Sequence, residues 1–537
     1  MIQLSLSQYY ITSLVPLGAD LWGYSWADIQ QTVGSSGGVP ISLIISTSLI
    51  VICNILLITL LAKKIGVGIF TRIIIFLLWT ISLFTNVNSA IAEWMPAKEA
   101  GNNLSINKSY FFFKSTWNHF FLQKETIDIY ASNYLGLDIN PISDSKLAKY
   151  QYLDEFNYPF LHKVDSSKDV LSSFFNQSNQ KPNIVILMVE GLGRAFTNSG
   201  AYLGNFTPRI DSIAQKSLYW ENFLSEGGRT FAVLPSLISS LPFAKNGFNE
   251  LGEAMPGHFS LINLLQKNGY KSSFFYGGNA SFDNMKNFLL KNKIDHIIEE
   301  TNFPIGYSKM PAINGFSWGY GDKELFNNYL TSKQDSLQSY LNIVLTVSTH
   351  SPFLINEQEK YLQAFESRMT ELGISEDRKK EYRNFKYQYA SILYMDDAIG
   401  SFLQSYQSRP DFKNTVFLIT GDHRMPEIPM SSKLDRYHVP LIIYSAMLKK
   451  SAKFSSISTH FDIAPSLLAW LQKQYKLQLP DTVAWMGSGL DTARNFRNVH
   501  AYPFMQTKTD IVDYVEGAFW LNQNSLFEIN NNMNLTP

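Results

Sequence analysis

One cysteine in 537 residues, Cys53, excludes a disulfide framework and a cysteine-built metal cluster, so any bound metal is held by oxygen and imidazole ligands. A surplus of charge is also missing. The 45 Lys and Arg balance 45 Asp and Glu, which removes the electrostatic argument for a nucleic-acid partner. No internal repeat is evident. What the chain has is apolar bulk, 45% hydrophobic and 14% aromatic. That excludes a disordered or fibrous protein and leaves room for membrane segments plus one large globular domain or two smaller ones.

Val39 to Ala62 reads VPISLIISTSLIVICNILLITLLA, uncharged over a length that matches the roughly 20 residues needed to cross a bilayer. Gly68 to Val87 is a second apolar stretch whose only charge, Arg72, sits near its start. Residues 39–87 therefore read as an α-helical membrane hairpin, with buried helices of a soluble protein as the alternative. Lys63, Lys64 and Arg72 all fall in or beside the connection. Basic short loops stay in the cytoplasm, so the chain from about residue 88 is expected outside it, making a multi-pass protein of the cell membrane with a periplasmic or extracellular domain. Residues 1–38, with Trp22, Tyr24 and Trp26, suit an interfacial or partial membrane segment. Residues 88–180 read as an extracytoplasmic connector with some helix.

From Lys181 to about residue 500 short apolar runs alternate with amphipathic stretches such as Thr207 to Leu218, His258 to Gly269 and Tyr387 to Gln404. This is the signature of an α/β domain on a mostly parallel sheet with helices on both faces. Residues 501–537 read as edge strands packed on that domain. Asp396, Asp397, Asp462 and the Trp318, Gly319, Asp322 loop read as structural: caps, buttresses or a loop entering a helix.

The chemistry-bearing residues stand where the apolar runs end. PNIVILMVEGLG puts Glu190 after one, LNIVLTVSTHSPF puts Thr349 and His350 after another, and NTVFLITGDHR puts Asp422 and His423 after a third. In an open parallel sheet, residues at the carboxyl ends of strands converge on one crevice. Two carboxylates and imidazole there offer hard and borderline ligands to a divalent cation. Taken alone, a Glu after a strand such as Glu190 is most often a helix-start residue or a surface group. GGRTFAVLPSLISSLP, Gly227 to Pro242, places Thr230 before an apolar, helix-like stretch. Thr230 is a candidate nucleophile or a simple N-cap; as a nucleophile it needs a base or metal to activate it.

Taken in order, PNIVILMVEGLG, TPRIDSIAQKS, GGRTFAVLPSLISSLP, VSTHSPF and ITGDH resemble the lipoteichoic acid synthase and phosphoglycerol transferase branch of the alkaline phosphatase and sulfatase superfamily, over roughly residues 181 to 475. The resemblance implies that Thr230 is the nucleophile that becomes covalently substituted. It implies that Glu190, Thr230, Asp422 and His423 hold one divalent ion, manganese by preference, with zinc or magnesium as alternatives. His350 would contact the phosphoryl group or assist the leaving alcohol, Arg229 would neutralise phosphate charge, and His438 matches a further metal or substrate position. Tyr276, Asp283 and Asn284, in FFYGGNASFDNM, occupy the substrate stretch. There the synthases carry a His where this chain has Tyr276, and a Trp and an Arg where it has Asp283 and Met285. This departure points away from polyglycerolphosphate synthesis and toward the broader set of phosphoglycerol and phosphoethanolamine transferases. Sulfatases need a Cys or Ser, oxidised to formylglycine, at the position of Thr230, so sulfate-ester hydrolysis by that route is excluded.

The expectation is a membrane-anchored transferase. A phospholipid is the donor and a cell-envelope glycan or lipid the acceptor. A metal-dependent phosphatase or phosphodiesterase, or a catalytically inactive binding module, are the alternatives.

Overall fold

The computed structural model describes residues 169–536 apart from 245–246, 333–337, 509–510 and 523–524, and before residue 169 shorter stretches, chiefly 16–24, 26–35, 107–121, 152–154 and 157–165. The expected membrane hairpin lies outside the described residues except for scattered positions. Of these, Ile45, Leu49, Ile52, Leu56, Phe70, Ile73, Leu77 and Leu78 are helical and exposed. Among the described residues no helix is long and apolar enough to cross a membrane.

The chain divides into two compact units, Met1–Ile29 with Ser36–Lys146, and Gln30–Ser35 with Leu147–Pro537. In the first, the helix Lys108–Phe121 is tied to the turn at Ala19–Gly23: Ser115 Oγ accepts from the Ala19 N–H at 2.8 Å and Thr116 Oγ1 from Trp22 Nε1 at 3.1 Å.

The second unit contains the strands β1 (Tyr152–Asp154), β2 (Tyr158–Lys163), β3 (Asn183–Val189), β4 (Leu218–Leu224), β5 (Lys271–Tyr276), β6 (His296–Ile298), β7 (Tyr340–Leu345), β8 (Thr415–Gly421), β9 (His438–Ser445), β10 (Ala452–Phe454), β11 (Ser458–Thr459), β12 (Thr482–Val483), β13 (Ala501–Met505), β14 (Ile511–Glu516), β15 (Phe519–Asn522), β16 (Ser525–Ile529) and β17 (Leu535–Thr536). The central sheet runs β10-β4-β9-β8-β3-β7-β5-β6, with β11 beside β4. Only β9, among the described strands of this sheet, runs against the others. β1, β2 and β12 form a small sheet, and β13 to β17 an antiparallel meander.

β3 shows why the domain needs helices on both faces. Its seven residues are all buried, and the period of two divides them. Ile184, Ile186 and Met188 join a core with the helices Leu261–Lys267, Met285–Lys291 and Ile463–Tyr475. Val185, Leu187 and Val189 join another with Asp322–Thr331, Gln358–Glu371 and Lys386–Tyr406. With water excluded from both sides, polar side chains are left to the strand ends.

The helix expected over Thr207 to Leu218 is shorter, Pro208–Ala214. The chain must turn into β4 at Leu218, and Asp396 accepts from the N–H groups of Arg209 and Ile210 at 3.0 and 2.8 Å. The stretch after Gly228 is not one regular helix. It makes a short 3₁₀ turn, Thr230–Ala232, then a wide turn at Leu234–Ile238 containing Pro235, a residue that cannot donate to the helical ladder. The last residues form the five-stranded meander, buried against Leu224, Tyr437 and Phe461 through Tyr502, Phe504 and Trp520.

Candidate active site

β3 and β8 are hydrogen-bonded neighbours in register from Asn183 with Thr415 to Val189 with Gly421. The residues that follow each strand, Glu190 and Asp422, therefore emerge side by side although the sequence separates them widely. Gly191 turns the chain at φ +66°, a conformation that favours glycine, and its N–H donates to Asp422 Oδ1 at 2.8 Å. The His423 N–H donates to the same oxygen at 2.8 Å. These two bonds fix one Asp422 oxygen and aim the other, Oδ2, into the crevice.

Thr230 reaches the same point. Its hydroxyl lies 2.9 Å from Asp422 Oδ2 and 3.1 Å from Glu190 Oε2. No capping bond is made by the side chain at the start of this turn, where Arg229 holds the N-cap position. The hydroxyl is thus turned to the carboxylates and away from backbone capping. Its loop is held by Arg436, whose Nε donates to Gly228 O at 3.2 Å. A Cβ on Gly228 would stand 2.5 Å from that nitrogen, so the close approach requires glycine.

His423 completes the group. Its Nδ1 lies 3.0 Å from Arg424 O; a carbonyl only accepts, so Nδ1 carries the hydrogen. The Nε2 lone pair then points toward Glu190 Oε1 and Asp422 Oδ2, each 3.5 Å away. Burial holds the His423 imidazole below its usual range and so keeps it neutral. Ligand atoms of Glu190, Asp422 and His423 all fall within 4.8 Å of one another.

By itself this arrangement is electrostatically unbalanced. Two carboxylates and an imidazole lone pair face each other where Asp422 is 1% exposed. Burial first, and then the Asp422 charge, push the Glu190 carboxyl well above the carboxylate range. A divalent cation replaces the missing positive charge, and two carboxylates, one neutral imidazole and a hydroxyl suit manganese or zinc. The residues present fit a metal.

His350 stands beside this group, on the loop after β7. Burial pushes its imidazole down to about 4, with the charges of His423 and Arg229 acting in the same direction and that of Asp422 against them. Its ring packs on Trp318 at 4.0 Å, and the two line a small cleft together with Met310, Phe316, Ser348 and Leu354. Arg229, partly exposed, bears electrostatically on both His350 and His423. Tyr276 ends β5; burial raises its phenol, as do the charges of Glu190, Asp283 and Asp422. Asp283 and Asn284 lie in the turn Phe282–Asn284, which packs against the turn carrying Thr230.

His438, by contrast, is not brought into the metal group: its Nε2 is 2.8 Å from Glu221 O. A histidine that sequence reading passed over, His460, is the one buried against the ligand turn, its Nε2 3.0 Å from Gly421 O. Its signal, HFDIAPSLL, looked like a helix start, and Asp462 does cap there with Thr459. Glu427 and Arg436 were also unread, and both act electrostatically on the ligands.

A profile of the sulfatase family matches residues 182–473. The chain is 23% identical over 254 residues to phosphoglycerol transferase I of Escherichia fergusonii, covering 46% of this chain and 31% of that protein. It is 22% identical over 289 residues to phosphoglycerol transferase I of Citrobacter koseri, covering 52% and 35%. The chain thus spans about a third of the length of the curated relatives it matches. Among solved structures, a protein of the alkaline phosphatase superfamily from Vibrio parahaemolyticus superposes with a TM-score of 0.54 at 22% identity, over 72% of this chain and 86% of that one. The lipoteichoic acid synthase LtaP from Listeria monocytogenes does so at 0.51 and 18%, over 68% and 85%. The α/β fold and the superfamily agree with the motif resemblance.

Two outcomes are expected of the metal-stripped protein. Manganese should bind more tightly as pH rises, by up to about tenfold per unit while it displaces a proton from the carboxylate pair, and Asp422→Asn should lose that binding; calorimetric titration at pH 6 and pH 8 checks both. Burial pushes His460 down to about 4, so the unfolded chain binds more protons. Its contribution to stability is complete above the unfolded value near 6.5 and is lost as pH falls toward 4. His460→Gln should remove on the order of 1–2 kcal/mol of the stability difference between pH 7 and pH 5, read from urea midpoints.

Proposed function

Because the chain belongs to the sulfatase family, we propose that it is a metal-dependent transferase that moves a phosphoglycerol or phosphoethanolamine group from a phospholipid, through a covalent Thr230 adduct, to an acceptor hydroxyl outside the cytoplasm. The observation that carries this reading is the Thr230 hydroxyl held between two carboxylates at 2.9 and 3.1 Å. A surface cap would show no such focus. The relatives named phosphoglycerol transferase I and the LtaP fold support the class of group transferred.

Glu190, Asp422, His423 and the Thr230 oxygen would hold a divalent ion, manganese by preference. When bound it supplies Lewis acidity, lowering the proton affinity of the hydroxyl and neutralising phosphoryl charge. The chain's own residues do the rest. In the first displacement Thr230 Oγ gives its proton to the carboxylates and bonds to phosphorus as the diacylglycerol oxygen departs and takes a proton from solvent. In the second, the acceptor oxygen bonds to phosphorus as Thr230 Oγ leaves and regains the proton held by the carboxylates. His350, neutral at pH 7, can take the acceptor's proton, and Arg229 draws the phosphate into the crevice. A threonine offers no formylglycine, so sulfate esters are not substrates by the sulfatase route.

A lipid donor fits a membrane anchor. The charge-free run Val39 to Ala62, the basic residues Lys63, Lys64 and Arg72, and the exposed apolar positions from Ile45 to Leu78 support a hairpin with the catalytic domain outside the cytoplasm. The acceptor is an envelope glycan or lipid.

The test is the intact mass of the protein after incubation with manganese and a mixture of phosphatidylglycerol and phosphatidylethanolamine. The wild type should gain an adduct whose mass names the transferred group. Thr230→Ala should gain none and should lose more than about 10³-fold in turnover with its circular dichroism unchanged. Release of head group without any adduct or acceptor dependence would favour the hydrolase; Thr230→Ala with full turnover would end the covalent reading.

A further inference from the structure

The end of the first strand of the C-terminal meander pairs with the loop that carries Thr230. Met505, the last residue of β13, donates its N–H to Glu226 O at 3.1 Å and accepts from the Gly228 N–H at 2.8 Å. It thereby pairs with the loop that presents Thr230. Three residues further on, Lys508 is 1% exposed. Its ammonium lies 2.7 Å from Glu250 Oε1 and 3.0 Å from Asp283 Oδ1. Glu250 is bound in turn by Asn284, whose Nδ2 donates to Oε2 at 2.6 Å. Asn249 Nδ2 approaches Asp283 O at 3.3 Å.

This cluster closes on an unusual backbone. Asp283 and Asn284 are consecutive non-glycine residues at φ +51° and +56°. Asp and Asn tolerate this left-handed region better than other non-glycine residues, but only as single residues as a rule, so two in succession call for contacts that hold them. A buried lysine has its own cost unless paired, and here two carboxylates pair it. The turn so held packs against the Thr230 turn, and the Asp283 charge acts on Tyr276 together with those of Glu190 and Asp422. The Asp283–Asn284 turn therefore stands beside the turn that presents Thr230, next to where the phosphoryl group would react.

We propose that Lys508 is a positioning residue for the head group of the donor: from the C-terminal sheet it fixes the Asp283–Asn284 turn, which contacts the alcohol portion of the transferred group. This rests on the transferase reading for the identity of the head group. Phosphate itself would be held at the Glu190, Asp422 and His423 group and by Arg229, so Lys508 governs discrimination between a phosphomonoester carrying an alcohol and bare phosphate.

The test compares binding of glycerol phosphate and phosphoethanolamine with that of inorganic phosphate to the manganese-loaded protein, by calorimetry. Lys508→Met should weaken at least one of the two organic ligands about tenfold and leave inorganic phosphate unchanged, with Lys508→Arg restoring the wild-type ratio. Loss of the ammonium strands two carboxylates, so Lys508→Met with Glu250→Gln is made alongside as a charge-compensated version that folds if the single variant does not. Equal weakening of all three ligands would reduce Lys508 to scaffold, and unchanged ratios, or a wild type that binds all three alike, would overturn the proposal. A wild type that discriminates through Lys508 but forms no adduct with phospholipid would leave Lys508 standing and sink the transferase reading.

Discussion

Glu190 and Asp422 repel each other in a place that water barely reaches, and most of the domain can be understood as holding them there. Like charges at hydrogen-bonding distance in a buried crevice do not both stay ionised without a cation. Only a rigid frame keeps them from moving apart. The frame is the β3–β8 pair, seven residues in continuous register, buried on both faces. The Gly191 turn and the His423 amide then spend one Asp422 oxygen on backbone hydrogen bonds, leaving the other with no choice of direction. Affinity for a divalent ion is the return on this enforced closeness.

Around the carboxylates the site becomes progressively more cationic and aromatic. Arg229 and Arg436 stand at the Thr230 loop, and His350 and Trp318 wall the opening. Tyr276 stays a neutral phenol under the influence of three carboxylates. Of the two arginines only Arg229 is partly exposed, which suits the negatively charged phosphodiester of the proposed reaction. Arg424, fully buried, builds the far wall: it donates to the carbonyls of Met425, Ile428 and Pro429 and pairs with Asp435, so the segment following the ligand turn has a fixed shape.

That Glu190, Asp422 and His423 would come together was legible because buried strands force polar groups to their ends. An apolar run followed by Glu190, and another followed by Asp422 and His423, leave little else for those side chains to do. Register was not legible, nor was the reversed direction of β9, because a fully buried strand carries no mark of its neighbour's sense. His438 and His460 show the limit most clearly. Both open regular elements, and nothing local separates the one bound to Glu221 O from the one bound beneath Gly421. The Thr230 segment looked helical from its apolar spacing, and Pro235 with the need to reach the carboxylates broke it. Lys508 was invisible for a different reason: it is 258 residues from Glu250, and a lone lysine in a polar tail reads as solvated surface. The hairpin at 39–87 falls outside the described residues except for scattered positions.

The pairing of β3 with β8 has a consequence for the order of events during synthesis. Gly191 and Asp422 are 231 residues apart and Thr230 and Asp422 are 192 apart, so a growing chain carries half of its cation ligands long before the other half exists. Until β8 inserts next to β3, the chain has no site selective for one metal over another. A divalent ion held there would thus be selected by the surroundings in which the last central strands come together, and not by whatever metals were abundant where translation began.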